Sequence, residues 1–147
     1  EIGVLTAEQI KIKIGAAMKR PIEVAMVAKG QNVFTGLPES FEISAGEIYD
    51  AIIDTVDSIC DSVRQVINKT DPDLVSDFST DGLFLCGGGA LLSGFDKKLS
   101  EYLGIPVNLL PDPAHSVVKG AAAALKNPDM LKNVDYRMRS IKELEIE

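Results

Sequence analysis

Leu83-Phe84-Leu85-Cys86-Gly87-Gly88-Gly89-Ala90-Leu91-Leu92-Ser93-Gly94 is an apolar run that breaks into three glycines and resumes with helical composition. It reads as a strand, a glycine turn and a helix. Residues without Cβ let the backbone take up positive φ and approach a ligand closely, and the amides that open a helix lack intrahelical partners. A flat phosphate-bearing ligand such as a nucleotide suits such a place, although the same glycines also serve a plain tight turn. Downstream, Leu92, Phe95, Leu99, Tyr102 and Leu103 mark a helix closed by Gly104, and Ile105-Pro106-Val107-Asn108-Leu109 reads as the next strand. The unit is βαβ, with parallel strands and the glycines at the carboxyl end of the first, where ligands of such sheets bind.

Upstream, Thr6-Ala7-Glu8-Gln9 has the form of a capping box and predicts a helix from Ala7 to a stop at Gly15. The alternation Ile10-Lys11-Ile12-Lys13-Ile14 also fits a strand, and the cap and Gly15 favour the helix. Ile22 to Lys29, Val33-Phe34-Thr35 and Ser40-Phe41-Glu42-Ile43, separated by Gly30-Gln31-Asn32 and Gly36-Leu37-Pro38, read as a small meander of strands. A second capping box, Ser44-Ala45-Gly46-Glu47, opens the strongest helical pattern. Ile48, Ile52, Val56, Ile59, Val63, Val66 and Ile67 lie on its apolar face, while Asp50, Asp54, Asp57, Asp61 and Arg64 form a solvated row. Asp71-Pro72 starts a short helix through Val75, and Asp81-Gly82 turns into the strand at Leu83. Pro111-Asp112-Pro113 precedes a small-residue helix from Val117 to Leu125, and a charged tail follows from Pro128.

The 147 residues carry 22 acidic and 15 basic side chains, a formal charge of −7, and the basic residues are scattered. That distribution argues against nucleic acid as a partner. Cys60 and Cys86 both sit in apolar surroundings and read as reduced core thiols, with no metal-ligand spacing. His115 has no triad or second ligand around it at a recognisable spacing, and no run of 18 apolar residues occurs. The chain opens at Glu1 without an initiating methionine and reads as a fragment of something longer.

Taken together, Leu85-Cys86-Gly87-Gly88-Gly89-Ala90-Leu91-Leu92-Ser93-Gly94-Phe95-Asp96-Lys97-Lys98-Leu99, with Gly104-Ile105-Pro106-Val107 and Asp112-Pro113 after it, resembles the adenosine motif of the MreB family of bacterial actin-like cell-shape proteins. Thr6-Ala7-Glu8-Gln9-Ile10-Lys11 with Ile14-Gly15 resembles that family's capped helix, and Thr35-Gly36-Leu37-Pro38 its hairpin. The resemblance covers roughly residues 1 to 125. It implies a mixed α/β, actin-like ATPase (ribonuclease H-like) fold, present in part. Residues 1–54 would be a subdomain IIB-like region, 55–127 a subdomain IIA-like region with the adenosine motif, and 128–147 a tail.

The same resemblance implies a nucleotide cleft with ATP as ligand and Mg in the whole protein. Glu8 would accept hydrogen bonds from the ribose hydroxyls, Lys11 would cover the adenosine, and Gln9 and Ile10 would line the approach. Gly88, Gly89, Ala90 and Leu91 would meet the adenine and α-phosphate side, with Gly87 permitting the turn. Family members place their phosphate loops and water-activating acid upstream of the matched region. The resemblance therefore implies ATP hydrolysis by the parent and not by this fragment, no catalytic residue and no metal ligand here, and adenosine binding near 1 mM or weaker, about −4 kcal/mol. It further implies self-assembly into cytoplasmic filaments under the membrane, wall-synthesis and membrane proteins as partners, and peripheral membrane association through absent regions. Two departures stand out: Cys86 is often threonine in relatives, and the helix from Ala45 lacks their mid-helix proline. A stand-alone protein-binding module, and a chaperone-type or sugar-kinase-type member of the superfamily, are the competing readings.

Overall fold

Ser44 and Glu47 start the longest element. In the computed structural model, which describes residues 1–127, the Glu47 N–H donates to Ser44 Oγ at 3.2 Å and the Ser44 N–H to Glu47 Oε2 at 2.8 Å. This reciprocal cap opens α2 (Ala45–Asn68), and the backbone and hydroxyl hydrogen bonds of Ser44 hold the Glu47 carboxyl below its ordinary value.

Before it come α1 (Val4–Ile14), β1 (Ala25–Gln31) and β2 (Pro38–Ser44); after it come α3 (Pro72–Asp81), β3 (Leu83–Leu85), α4 (Phe95–Leu103), β4 (Val107–Leu109) and α5 (Ser116–Lys126). Single turns of 3-10 helix cover Gly88–Leu91 and Pro113–His115. The chain divides into two compact units, Glu1–Ala114 and one that begins at His115 and holds α5. The charged tail expected from Pro128 lies outside the described residues.

Four expectations need correction. Helix α1 starts at Val4, one turn before the expected Ala7, so Thr6 is already helical; Gly3 precedes the helix and no side chain caps it. The meander is a two-stranded antiparallel hairpin, with Ala25 opposite Ser44 and Gln31 opposite Pro38. Val33-Phe34-Thr35 is its turn, because Asn32 Oδ1 accepts from the N–H groups of Phe34 and Thr35 at 2.8 and 3.1 Å and folds the chain back. Helix α3 runs on to Asp81 rather than ending at Val75. Finally, Ile59 and Val66 of α2 are exposed, since the apolar positions of this helix outnumber those its neighbours cover.

The expected βαβ unit is present. Strands β3 and β4 pair in parallel, Leu83 with Val107 and Leu85 with Leu109, joined through α4. Helix α4 ends at Gly104, as its composition suggests, in a left-handed cap whose N–H donates to the Ser100 carbonyl at 2.9 Å.

Two apolar clusters share α2. Ala45 joins Ile10, Ile14 and Ala28, with Ile48 packed beside them. Further along, Val56 and Cys60 join Phe95 and Leu99 of α4 and Ala17. At the edge of the second cluster Lys98 pairs with Asp57 at 2.9 Å, the Tyr102 hydroxyl donates to Asp61, and the Arg64 guanidinium lies 3.8 Å from the Tyr102 ring centre and donates to its carbonyl at 2.7 Å. Half of the acidic row thus clamps α2 to α4 instead of only facing water. The carboxylates hold the Lys98 ammonium and the Tyr102 phenol above their ordinary values, and burial raises the Cys60 thiol.

Two consequences are measurable. Leu99 is 1% exposed, so Leu99→Ala should lower the unfolding free energy by about 2–5 kcal/mol and Leu99→Met by less than about 1.5 kcal/mol in chemical denaturation. Because the Glu47 carboxyl titrates lower when folded than when unfolded, its contribution is complete above the ordinary carboxylate range and is lost as pH falls through its folded value. Thermal unfolding followed from pH 6 to pH 3 should show a shallower loss of midpoint for Glu47→Gln than for the parent chain.

Candidate functional site

Glu8 and Lys11 stand one turn apart on α1, and their side chains meet at 2.5 Å with each about half exposed. Gln9 is exposed beside them. Ile10 points the other way, into the cluster with Ile14, Ala28 and Ala45, so its side chain is closed to any ligand and only its position orders the helix. Helix α1 stops at Gly15 in extended backbone, where a Cβ would strike the Lys11 carbonyl. The expected stop is therefore correct, for a steric reason.

The second half of the site begins where β3 ends. Cys86 is exposed, contrary to the expectation of a core thiol. Strand β3 pairs along one edge only among the described residues, and its middle residue Phe84 is 62% exposed. Gly87 has φ 87° and ψ 167°, a region open essentially to glycine alone, and its N–H donates to the Pro113 carbonyl at 2.6 Å. The 3-10 turn Gly88–Leu91 follows. No atom lies within 4 Å of the place a Cβ would take on Gly87, Gly88 or Gly89, so that face of the backbone is open. Ala90 is buried beneath the turn, whereas Leu91 is exposed.

What joins the halves was not read from the sequence. After Gly15 the chain continues through Ala16 and Ala17, both buried, and Ala16 forms a parallel bridge to Ser93. The Ala17 N–H donates to the Ser93 carbonyl at 2.8 Å. Met18 then lies against Gly94, 3.7 Å from its Cβ position. The end of the Glu8–Lys11 helix is thereby tied to the end of the glycine turn. Gly15-Ala16-Ala17 is a run of small residues, and that was the available signal of close chain approach.

His115 precedes α5 in the second unit. Among the described residues no group of three or more His, Cys, Asp or Glu is placed to hold a metal ion, and no helix is long and apolar enough to cross a membrane.

Gly87→Ala forces an L side chain into a glycine-only conformation. It should cost about 1–3 kcal/mol in denaturant unfolding, and Gly88→Ala, which has open space and ordinary φ, should cost clearly less.

Comparison with known proteins matches these features. The model of the MreB/Mbl protein family fits residues 1–133. The cell shape-determining protein MreB of Escherichia coli (strain K12) is 39% identical over 133 residues, which span 88% of this chain and 37% of that protein. The cell shape-determining protein Mbl of Bacillus cereus is 35% identical over 130 residues, 88% of this chain and 39% of Mbl. Among solved structures, MreB5 of Spiroplasma citri bound to ADP superposes with a TM-score of 0.82 at 30% identity, over 90% of this chain and 41% of that one. MreB5 bound to AMPPNP gives a TM-score of 0.81 at 31% identity. The chain thus spans about two fifths of these relatives, and its mixed α/β architecture is a partial actin-like ATPase fold. With motifs, topology and both kinds of similarity in agreement, the chain belongs to the MreB/Mbl family of actin-like cell shape-determining proteins.

Proposed function

We propose that this chain supplies the adenosine-binding half of an ATP site in a cytoskeletal protein that assembles into filaments and takes part in determining cell shape. The observation that carries the reading is the Ala16–Ser93 bridge. It holds the carboxylate and ammonium of Glu8 and Lys11 on an element fixed beside an open glycine backbone. Structural neighbours bound to ADP and AMPPNP support a nucleotide as the ligand.

In this reading the Glu8 carboxylate accepts from the ribose hydroxyls and Lys11 lies over the nucleoside. Gln9 borders the approach. Ile10 and Ala90 act as buried supports beneath their elements, and Gly88, Gly89 and Leu91 offer backbone and one apolar surface to the base and first phosphate. The open glycine face has room for a planar base, so the residues present fit an adenosine. ATP bound with Mg would bring to the whole protein's site a phosphoanhydride open to hydrolysis. This chain's residues bind and orient the nucleoside, and the reading assigns them no hydrolytic step and no magnesium ligand. Self-assembly, location in the cytoplasm under the membrane, and contact with wall-synthesis and membrane proteins are proposed for the whole protein. The division between subdomains IIB and IIA is proposed along α2 near Asp54, between the two apolar clusters.

Titration of the isotopically labelled chain with Mg-ATP should give amide shift changes confined to Glu8–Lys11 and Gly87–Leu91, with a dissociation constant of about 1 mM. Glu8→Ala should weaken binding by about tenfold, as should replacing ATP by its 2′-deoxy analogue. A preference for ATP over its 2′-deoxy analogue that persists undiminished in Glu8→Ala would remove Glu8 from the site. An absence of any shift up to about 10 mM would overturn the nucleotide reading in favour of a protein-binding module.

A further inference from the structure

Where the last turns of α2 meet α3 and the end of α4 lies a cavity of about 330 Å³. Helix α2 lines it with Arg64 and Asn68, α3 with Val75 and Phe78, and α4 and its connection to β4 with Leu103 and Ile105. The four apolar residues are half-buried, so each keeps part of its surface open. Sites for small organic molecules have this make-up: about 300–1,000 Å³, mostly apolar, with a few convergent polar groups.

The walls are fixed by contacts of their own. The Thr70 hydroxyl donates to the Val66 carbonyl at 2.8 Å and closes α2, and Asp71 Oδ1 accepts from the Asp73 N–H at 2.9 Å and opens α3. Past the other end of α3 the Leu83 N–H donates to the Pro106 carbonyl at 2.8 Å, and the Ser100 hydroxyl donates to the Ile105 carbonyl at 2.7 Å. Each contributing segment is tied close to the residues that line the cavity, so little ordering is left to oppose binding.

In its chemistry the cavity is two-sided. Arg64 and Asn68 stand four residues apart on one face of α2, whereas α3 and the end of α4 add only apolar side chains. The Arg64 guanidinium lies 3.8 Å from the Tyr102 ring centre and donates to the Tyr102 carbonyl at 2.7 Å, which holds its plane. A guanidinium carries five N–H donors in a rigid fork, and among the described residues one of its nitrogens is engaged in this way. The fork matches a carboxylate through two parallel hydrogen bonds, and the Asn68 amide supplies a further donor. A single cation in the lining, on a chain of formal charge −7, suits a singly charged anion better than a polyanion.

We propose that this cavity binds a small amphipathic monocarboxylate, an aryl- or alkyl-alkanoate, with the carboxylate on Arg64 and Asn68 and the apolar body against Val75, Phe78 and Ile105. A cavity of about 150 Å³ takes benzene, so this one has room for a ring, a short chain and the carboxylate. The site shares no residue with Glu8–Lys11 or Gly87–Leu91 and stands or falls apart from the nucleotide reading.

Titration of the methyl-labelled 147-residue chain with 3-phenylpropionate should shift the Val75, Leu103 and Ile105 methyl signals, with a dissociation constant of about 1 mM. The uncharged 3-phenylpropan-1-ol should bind at least about tenfold more weakly. Arg64→Gln should remove that preference while the alcohol's affinity stays as it was. Val75→Trp, which fills the hollow, should abolish binding of both compounds at an unchanged thermal midpoint, and it leaves Arg64 and its Tyr102 contact intact. Equal affinity of the parent chain for carboxylate and alcohol overturns the proposal, as does a preference that persists undiminished in Arg64→Gln. Shifts confined to Glu8–Lys11 and Gly87–Leu91, or no shift up to about 10 mM, overturn it as well. Methyl shifts that follow the concentration of the chain and not that of the carboxylate assign the cavity to a second copy, and the small-molecule site falls.

Discussion

The packing of Val56 and Cys60 of α2 against Phe95 and Leu99 of α4 is the contact on which the other elements depend. Helix α4 is the crossover between β3 and β4, so fixing it on α2 sets the sheet, and with the sheet the point where β3 gives way to glycine. Ala17 belongs to the same cluster, which brings the end of α1 against that point. Burial of a few aliphatic side chains and one thiol thus positions two segments about eighty residues apart in the chain.

Polar groups around this core act as locators more than as sources of stability. The Lys98–Asp57 pair and the Tyr102–Asp61 and Arg64–Tyr102 contacts lie at the protein surface, where ion pairs contribute little net free energy. Their geometry still fixes the rotation of α4 about its own axis, because Asp57, Asp61 and Arg64 of α2 must together meet Lys98 and Tyr102 of α4.

The features that proved legible in the sequence are those governed by local chemistry. The Ser44–Glu47 cap, the Asp71-Pro72 start, the Gly104 stop and the parallel pairing of the strands around α4 all follow from residue types at fixed short spacing. The misreadings share a different cause. Thr6 has the right neighbours for a cap, yet one more turn of helix forms ahead of it. Val33-Phe34-Thr35 has strand composition, but the Asn32 side chain takes up the amides a strand would need. Cys86 follows an apolar run, and its exposure depends on which strands lie beside β3, a matter no local pattern records.

By itself the sequence determined the Ser44–Glu47 and Asp71-Pro72 helix starts, the Gly15 and Gly104 stops, and that a strand would meet a glycine turn, because capping and positive φ act over four or five residues. Only the tertiary structure decided that the Glu8–Lys11 helix and the glycine turn lie side by side. That proximity comes from the Ala16–Ser93 bridge and the burial of Ala17, a contact between segments distant in the chain. It likewise decided that Ile10 supports the helix from within the core while Phe34 stands in the open. A hydrophobic side chain is buried only where another element arrives to cover it, and that arrival is a property of the whole fold.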